Sequence, residues 1–177
     1  WNAIGDSTVF KKQVKQNIYN IWSEVEETQE LFRYVEEQYW KGSPLRIVGI
    51  DPQFSGLALE KTFIEKLRKT LPPEMASSSR FLDFVTEAEL ISKWMVFPKE
   101  KQHLIAQEIF LNYCDTLYSA LCNNGLPQQD LAFWKKALEN MKVLGKIKWK
   151  RAHGSFEVRD RQMYENFKYW QQQKPNE

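Results

Sequence analysis

The sequence contains only two cysteines and two histidines among 177 residues. Cys114 and Cys122 lie eight positions apart, a spacing that suits neither a disulfide framework nor a metal-binding pair on one helix, so we expect free thiols. His103 and His153 have no nucleophile or metal ligand at a recognised spacing, and we expect surface or capping roles for both. No catalytic residue, metal ion or cofactor is therefore predicted, and we do not expect an enzyme.

Long apolar runs and a strong charge imbalance are also missing. No stretch approaches the roughly 20 apolar residues of a membrane-spanning helix, and the first residues show no basic, apolar and small-residue pattern. The net charge of +2 does not favour a uniformly basic nucleic-acid binder. We expect a cytoplasmic chain with one domain over residues 1–177, because a hydrophobic content of 42% suffices for one core.

Helical periodicity is what the sequence has in quantity. Apolar residues recur at intervals of three and four, and proline, glycine and asparagine separate the periodic segments. The predicted helices cover residues 8–40, 59–71, 81–96, 101–122, 129–144 and 156–172, with a cap among Ser77–Ser79 and a break at Gly145. The sequence thus predicts an all-α bundle of six or more helices with a long N-terminal amphipathic helix. Residues 1–75 would hold the first helices and a connector, and residues 76–172 the helical core.

Carboxylates occur at two places in the sequence where a catalytic or metal site is an alternative rather than the main prediction. The stretch "GIDPQFSG", residues 49–56, resembles the first strand of nucleases with a ribonuclease H-like fold, in which Asp51 would bind a metal ion. Because no later segment is typical of a sheet that could deliver further ligands, an irregular connector is the main prediction. Glu87 and Glu89 point to different faces of one predicted helix, so they are expected to form a solvated edge rather than an acid and base pair.

Positive charge is concentrated in a segment near residue 149. Residues 135–151 contain seven Lys and Arg against one acidic residue. Such a segment can follow a phosphate backbone while a ring stacks on a base, or lie on an anionic membrane surface, although a plain solvated face is the main expectation. The candidate basic patch consists of Lys142, Lys146, Lys148, Trp149, Lys150 and Arg151.

One ordered series of residues resembles a known family. Phe81 and Leu82, followed by Glu89, Ile91 and Trp94, are similar to the "Phe-Leu … Glu-Asn-Ile-x-Phe-Trp" pattern of the regulator of G-protein signalling domain. The segments "AQEIFLNY" and "FEVRDRQMYENFKYW" resemble two later helices of that all-helical module. The resemblance covers about residues 81–170, and Leu90 and Lys93 stand where the family has asparagine and phenylalanine.

The resemblance implies a partner and a mechanism. Regulators of G-protein signalling bind the α subunit of heterotrimeric G proteins and stabilise the switch segments of that GTPase in their transition-state conformation. The matched polar positions are Glu89, Asn123 and Asn124. The alternative role of the two asparagines is to form a tight turn. The other hypotheses are a helical adaptor with a different protein partner, and a nucleic-acid or membrane-surface binder acting through the basic patch.

Overall fold

The computed structural model describes residues 25–43, 45, 48–52, 57–93, 101–150 and 155–172, together with Lys12 and Val14. These residues form helices joined by turns and irregular segments, and none of them lies in a β-strand. The prediction of an all-α fold with six or more helices is therefore confirmed. Most of the first half of the predicted N-terminal helix lies outside the described residues. Lys12 and Val14, which are described, are helical.

The described part of the chain contains seven helices, numbered here in chain order. Within those same residues, no helix combines the length and the apolar content that crossing a membrane requires. The helices are α1 (Glu26–Trp40), α2 (Leu57–Thr70), α3 (Pro73–Ala76), α4 (Ser79–Ser92), α5 (Gln107–Asn123), α6 (Gln128–Lys150) and α7 (Ser155–Gln172).

The chain divides into two compact units, residues 1–48 with 54–63 and residues 49–53 with 64–177. In the first unit, α1 buries Phe32 and Val35, which share one face of the helix because they are three positions apart. The end of α1 agrees with the sequence prediction. Gly42 follows it with φ of 77°, a conformation that favours glycine.

The core of the second unit surrounds α6, which packs against α4, α5 and α7. The Phe84 ring of α4 stacks on the Phe110 ring of α5, with ring centroids 5.1 Å apart. Burying one such side chain contributes about 1.5–3 kcal/mol to the free energy of folding. The apolar cluster around these two rings therefore provides much of the stabilisation between the helices. Its fully buried members include Phe81, Phe84, Ile91, Phe110, Leu117, Leu121, Met141 and Leu144.

Two local signals define the start of α4. α2 ends at Thr70, ahead of Pro72 and Pro73, because a proline cannot continue the hydrogen-bond ladder of a helix. Pro73 then begins the short helix α3. Ser78 is the N-cap of α4, and its hydroxyl oxygen accepts a hydrogen bond from the backbone N–H of Phe81 at 3.2 Å. The predicted cap is therefore confirmed.

The predicted helix break at Gly145 is wrong, because α6 continues to Lys150. A Cβ atom added to Gly145 would lie 3.1 Å from two carbons of the Phe110 ring. The missing side chain therefore lets α5 and α6 approach closely at this point. Gly145 is a helix-contact residue, and its helix is held by packing that a local pattern does not report.

The predicted helix over residues 101–122 begins later than expected. Its helix, α5, starts at Gln107, and residues 101–106 are not helical. The backbone N–H of Leu104 donates to the side chain of Glu87 at 2.7 Å instead of entering a helical ladder. In α4 the described helix ends at Ser92, and Trp94 lies outside the described residues.

The described residues 48–52 form an irregular segment, in agreement with the predicted connector. Asp51 accepts a hydrogen bond from Nε of Arg159 at 3.2 Å, and this contact raises the pKa of Arg159. The carbonyl of Ile50 accepts a hydrogen bond from Nδ2 of Asn166 at 2.8 Å. Asp51 is thus engaged in an ion pair that, with the second contact, fixes the connector on α7.

Candidate functional site

The structure brings Asn123 and Asn124 together at the end of α5. Both side chains are exposed, and Nδ2 of Asn124 donates to the backbone carbonyl of Thr70 at 2.7 Å. Gly125 follows with φ of 70°, which is the geometry of a tight turn. Asn124 therefore ties this turn to the end of α2, and the exposed Asn123 side chain lies beside it.

Glu89 is exposed on α4 and lies near the opposite end of α5. The start of α4, at Ser78 and Arg80, lines a shallow groove with Tyr113 and Thr116 from the middle of α5. Glu87, near the end of α4, contacts Leu104 just before α5 begins. The two helices are thus antiparallel, and a helix of 17 residues such as α5 spans about 25 Å. Glu89 and the two asparagines do not share one site.

The predicted basic patch is not one continuous exposed surface. Lys142 forms an ion pair with Asp115 at 2.7 Å, and Lys148 is buried, with its pKa lowered by that burial. Lys146 is exposed. Because α6 remains helical through Gly145, Lys148 falls on the inner face of the helix and Lys146 on its outer face. The prediction that Lys148 belongs to a basic surface is therefore wrong.

The remaining members of that patch have different positions. Trp149 stacks on the His103 ring, with centroids 3.9 Å apart and planes inclined by 14°, and it also contacts the Phe110 ring at 5.5 Å. The Lys150 side chain and Arg151 lie outside the described residues, as does His153. Trp149 is thus engaged within the protein rather than presented to a nucleic-acid base.

A cluster that sequence reasoning did not identify lies near the end of α4 and consists of the Glu87 and His103 side chains with the backbone of Leu104. The Glu87 carboxylate is fully buried at 0% exposure, and its Oε1 lies 2.7 Å from Nδ1 of His103. Its Oε2 accepts the backbone N–H of Leu104 at 2.7 Å. With Glu87 as the carboxylate, Nδ1 of His103 is the donor in this contact. The expectations of a solvated Glu87 and a surface or capping His103 are therefore wrong.

The Glu87 cluster fixes the segment of residues 101–106, which we call the anchored loop. Two charge-assisted hydrogen bonds hold the loop to α4, and Trp149 supports the His103 ring from α6. With its backbone so held, the loop exposes 59% of Leu104, and the first turns of α5 expose 51% of Ile109. The anchored loop is thus a pre-formed element that presents apolar side chains to solvent.

The thiols differ in their environments. Both cysteines are free, as predicted; Cys114 is buried and Cys122 is exposed. Burial raises the pKa of Cys114 to about 12, so this side chain is a neutral thiol at physiological pH and a poor nucleophile. Among the described residues, no group of three or more His, Cys, Asp and Glu side chains is placed to hold a metal ion.

Comparison with known proteins adds no relative to these observations. No protein-family model, curated protein or solved structure matches the chain.

Proposed function

We propose that this chain is a protein–protein interaction domain that binds its partner through the anchored loop and the start of α5. The observation that supports the proposal is the fully buried Glu87 carboxylate, which bonds both His103 and the backbone of Leu104. A buried ionisable side chain that fixes a surface loop is expensive to desolvate. The bond from Glu87 to the Leu104 backbone fixes the loop in one conformation, with the Leu104 side chain exposed.

Pre-organisation is the physical reason that such a loop suits binding. A loop that is ordered before it meets its partner loses less conformational entropy on association. Leu104 and Ile109 would form the apolar centre of the contact, and the exposed acidic residues Glu89 and Glu108 its rim. An apolar centre with a polar rim is the usual composition of an interface. We expect a partner surface with an apolar pocket and basic residues around it.

The α subunit of a heterotrimeric G protein is the partner class that we propose, and the cytoplasm is the proposed compartment. The order of Phe81, Leu82, Glu89 and Ile91 supports this partner through the resemblance stated above. Glu89 lies at the same end of α4 as Glu87, whose carboxylate contacts the anchored loop. Contact there would act on the switch segments of the GTPase by positioning and electrostatics.

The test is binding of the purified protein to a panel of Gα subunits, each loaded with GDP alone or with GDP and aluminium fluoride. We expect selective binding to the fluoride-loaded state. The double variant Leu104→Ser, Ile109→Ser should weaken binding by at least about tenfold. Leu82→Ser is the matched control, because Leu82 is equally exposed but lies near the start of α4.

The outcomes separate the parts of the proposal. Equal loss of binding in the Leu82→Ser control and the double variant would show that the anchored loop is not the contact surface. If no Gα subunit binds in either state, the G-protein partner is wrong and an adaptor with a different protein partner becomes the working hypothesis. Substitution of Asn123 by alanine, at the far end of α5, tests whether the other matched position takes part.

A further inference from the structure

Exposed apolar side chains are concentrated at α1 and the segment that follows it. Six of the thirteen large apolar residues that are exposed in the described part of the chain lie within residues 31–48, so this surface is unusually apolar. On α1 itself, Leu31 is 57% exposed and Tyr34 is 52% exposed. The two side chains are neighbours on the helix surface, because they are three positions apart. Clustered apolar exposure usually marks an interaction site.

The side of α1 that packs into the first unit is a different one. It carries the buried residues Phe32 and Val35. Since each residue of an α-helix is turned by about 100° from the one before it, Tyr34 lies well away from both buried residues. Leu31 lies at the edge of the buried side and is nonetheless more than half exposed. A structure that covers Leu31 and Tyr34 would therefore add to the existing packing without displacing it.

Glutamates surround this exposed pair. Glu27 lies four positions before Leu31, and Glu30 and Glu37 lie four positions before and three positions after Tyr34. At these spacings each glutamate is a surface neighbour of an apolar side chain, and all three are exposed. We call these five residues the acidic face of α1. It combines an apolar centre with a rim of one charge, which is the composition of an interface.

The charge of α1 selects the class of partner. Its 15 residues contain five glutamates and one arginine, although the whole chain has a net charge of +2. Glu27 and Glu30 form no ion pair with any residue that the structure describes. Nucleic acid and anionic lipid carry the same sign as this surface and are repelled by it. A basic protein segment carries the complementary charge.

We propose that the acidic face of α1 binds a lysine- or arginine-rich amphipathic helix of a partner protein. The apolar side of that helix covers Leu31 and Tyr34, and its basic residues lie against the three glutamates. A helix suits this surface because rows of side chains three and four positions apart pack into the grooves of another helix. Two apolar side chains form a small contact, so the affinity should be micromolar. The inference concerns the first unit and does not depend on the proposed function of the anchored loop.

Fluorescence anisotropy of a labelled peptide that repeats the heptad Leu-Lys-Lys-Leu-Leu-Lys-Leu, titrated with the full chain, tests the proposal. We expect a dissociation constant of roughly 1–100 µM, which rises severalfold when the ionic strength increases from about 50 to about 300 mM. The same peptide with glutamate in place of every lysine should not bind. Absence of binding of the lysine peptide at about 200 µM protein, or equal binding of the glutamate peptide, would overturn the proposal.

The apolar contact has a matched control. The double variant Leu31→Ser, Tyr34→Ser should raise the dissociation constant at least about tenfold, with an unchanged far-UV circular dichroism spectrum. Leu82→Ser, Tyr164→Ser removes a leucine and a tyrosine of similar exposure, 50% and 59%, from the second unit and should bind the peptide like the wild type. Normal binding by the α1 variant, or equal weakening in both variants, would contradict the assigned face.

The charge contact has its own control. Glu30→Lys, Glu37→Lys should raise the dissociation constant at least about fivefold, and lysine keeps the helix propensity of these positions. Glu65→Lys, Glu165→Lys makes the same change of net charge at exposed glutamates of α2 and α7 and should change it less than about twofold. Equal effects of the two pairs would mean that the peptide responds to net charge alone, and the acidic face would not be a binding site.

A last variant separates this surface from the anchored loop. Leu104→Ser, Ile109→Ser should bind the lysine peptide like the wild type, because neither residue belongs to α1. Loss of peptide binding in this variant, with normal binding in the α1 variants, would place the basic helix on the anchored loop and refute the assignment to α1.

Discussion

Replacing Glu87 by alanine should destabilise the protein and release the anchored loop. The substitution removes two hydrogen bonds of 2.7 Å from a carboxylate with 0% exposure. Hydrogen bonds to a charged group contribute about 1.5–3 kcal/mol each. The freed donors of His103 and Leu104 can recover part of this by reaching water as the loop opens. We therefore expect a loss of about 3 kcal/mol in the free energy of unfolding.

Two companion variants make the Glu87 prediction specific. Glu87→Gln keeps the volume of the side chain, and its amide oxygen can still accept the Leu104 N–H, so it should cost about 1 kcal/mol. Glu89→Ala changes an exposed acidic residue on the same helix and should alter stability by less than about 0.5 kcal/mol. The test is the rank order of the stability losses of the three variants rather than any single value.

Thermal unfolding and amide hydrogen exchange provide the measurements. For a chain of 177 residues, a loss of about 3 kcal/mol lowers the unfolding midpoint by roughly 6–12 °C. The Leu104 amide should exchange slowly in the wild type and Glu87→Gln, and rapidly in Glu87→Ala. A Glu87→Ala variant with wild-type exchange at Leu104 and a midpoint within about 2 °C of the wild type would refute the reasoning.

Three further predictions concern the core. Gly145→Ala should lower the free energy of unfolding in urea by about 1 kcal/mol, because crowding of the Phe110 ring at 3.1 Å outweighs the gain in helix propensity; a stabilised variant would show that the ring can shift. A thiol reagent at neutral pH should modify one cysteine, Cys122, in the folded protein and two after denaturation, so rapid reaction of both would contradict the burial of Cys114. Burial raises the pKa of Cys114 from 9.0 to about 12, so its contribution to stability is complete below pH 9 and is lost as the pH rises toward 12. The stability of wild type relative to Cys114→Ala should fall by up to about 4 kcal/mol over that interval, and a constant difference would contradict the assignment.

The elements that local chemistry defines could be read from the sequence. The prediction for the last helix began at residue 156 and ended at 172, and α7 spans Ser155–Gln172. Ser78 caps α4 as predicted, because a serine oxygen next to the first turn of a helix satisfies a free amide wherever the fold places it. These features depend on neighbours within one helical turn, which the sequence lists directly.

Features that depend on distant residues could not be read in this way. Gly145 has the local signature of a break, and only the Phe110 ring from another helix explains why the helix continues. Glu87 and His103 are 16 positions apart, and each has the type and setting of an ordinary surface residue. Their contact depends on the course of the anchored loop. The missed site and the wrong helix start at residue 101 therefore have one cause.

The two contacts between the connector and α7 bear on where the chain can be shortened. Asn166 bonds the carbonyl of Ile50 across 116 residues, and Arg159 bonds Asp51 across 108 residues. A truncation that begins at α2 would keep every helix from α2 to α7 and yet leave the buried amide of Asn166 without its backbone acceptor. A shortened chain that keeps both contacts should therefore begin before Gly49, although no helix starts there.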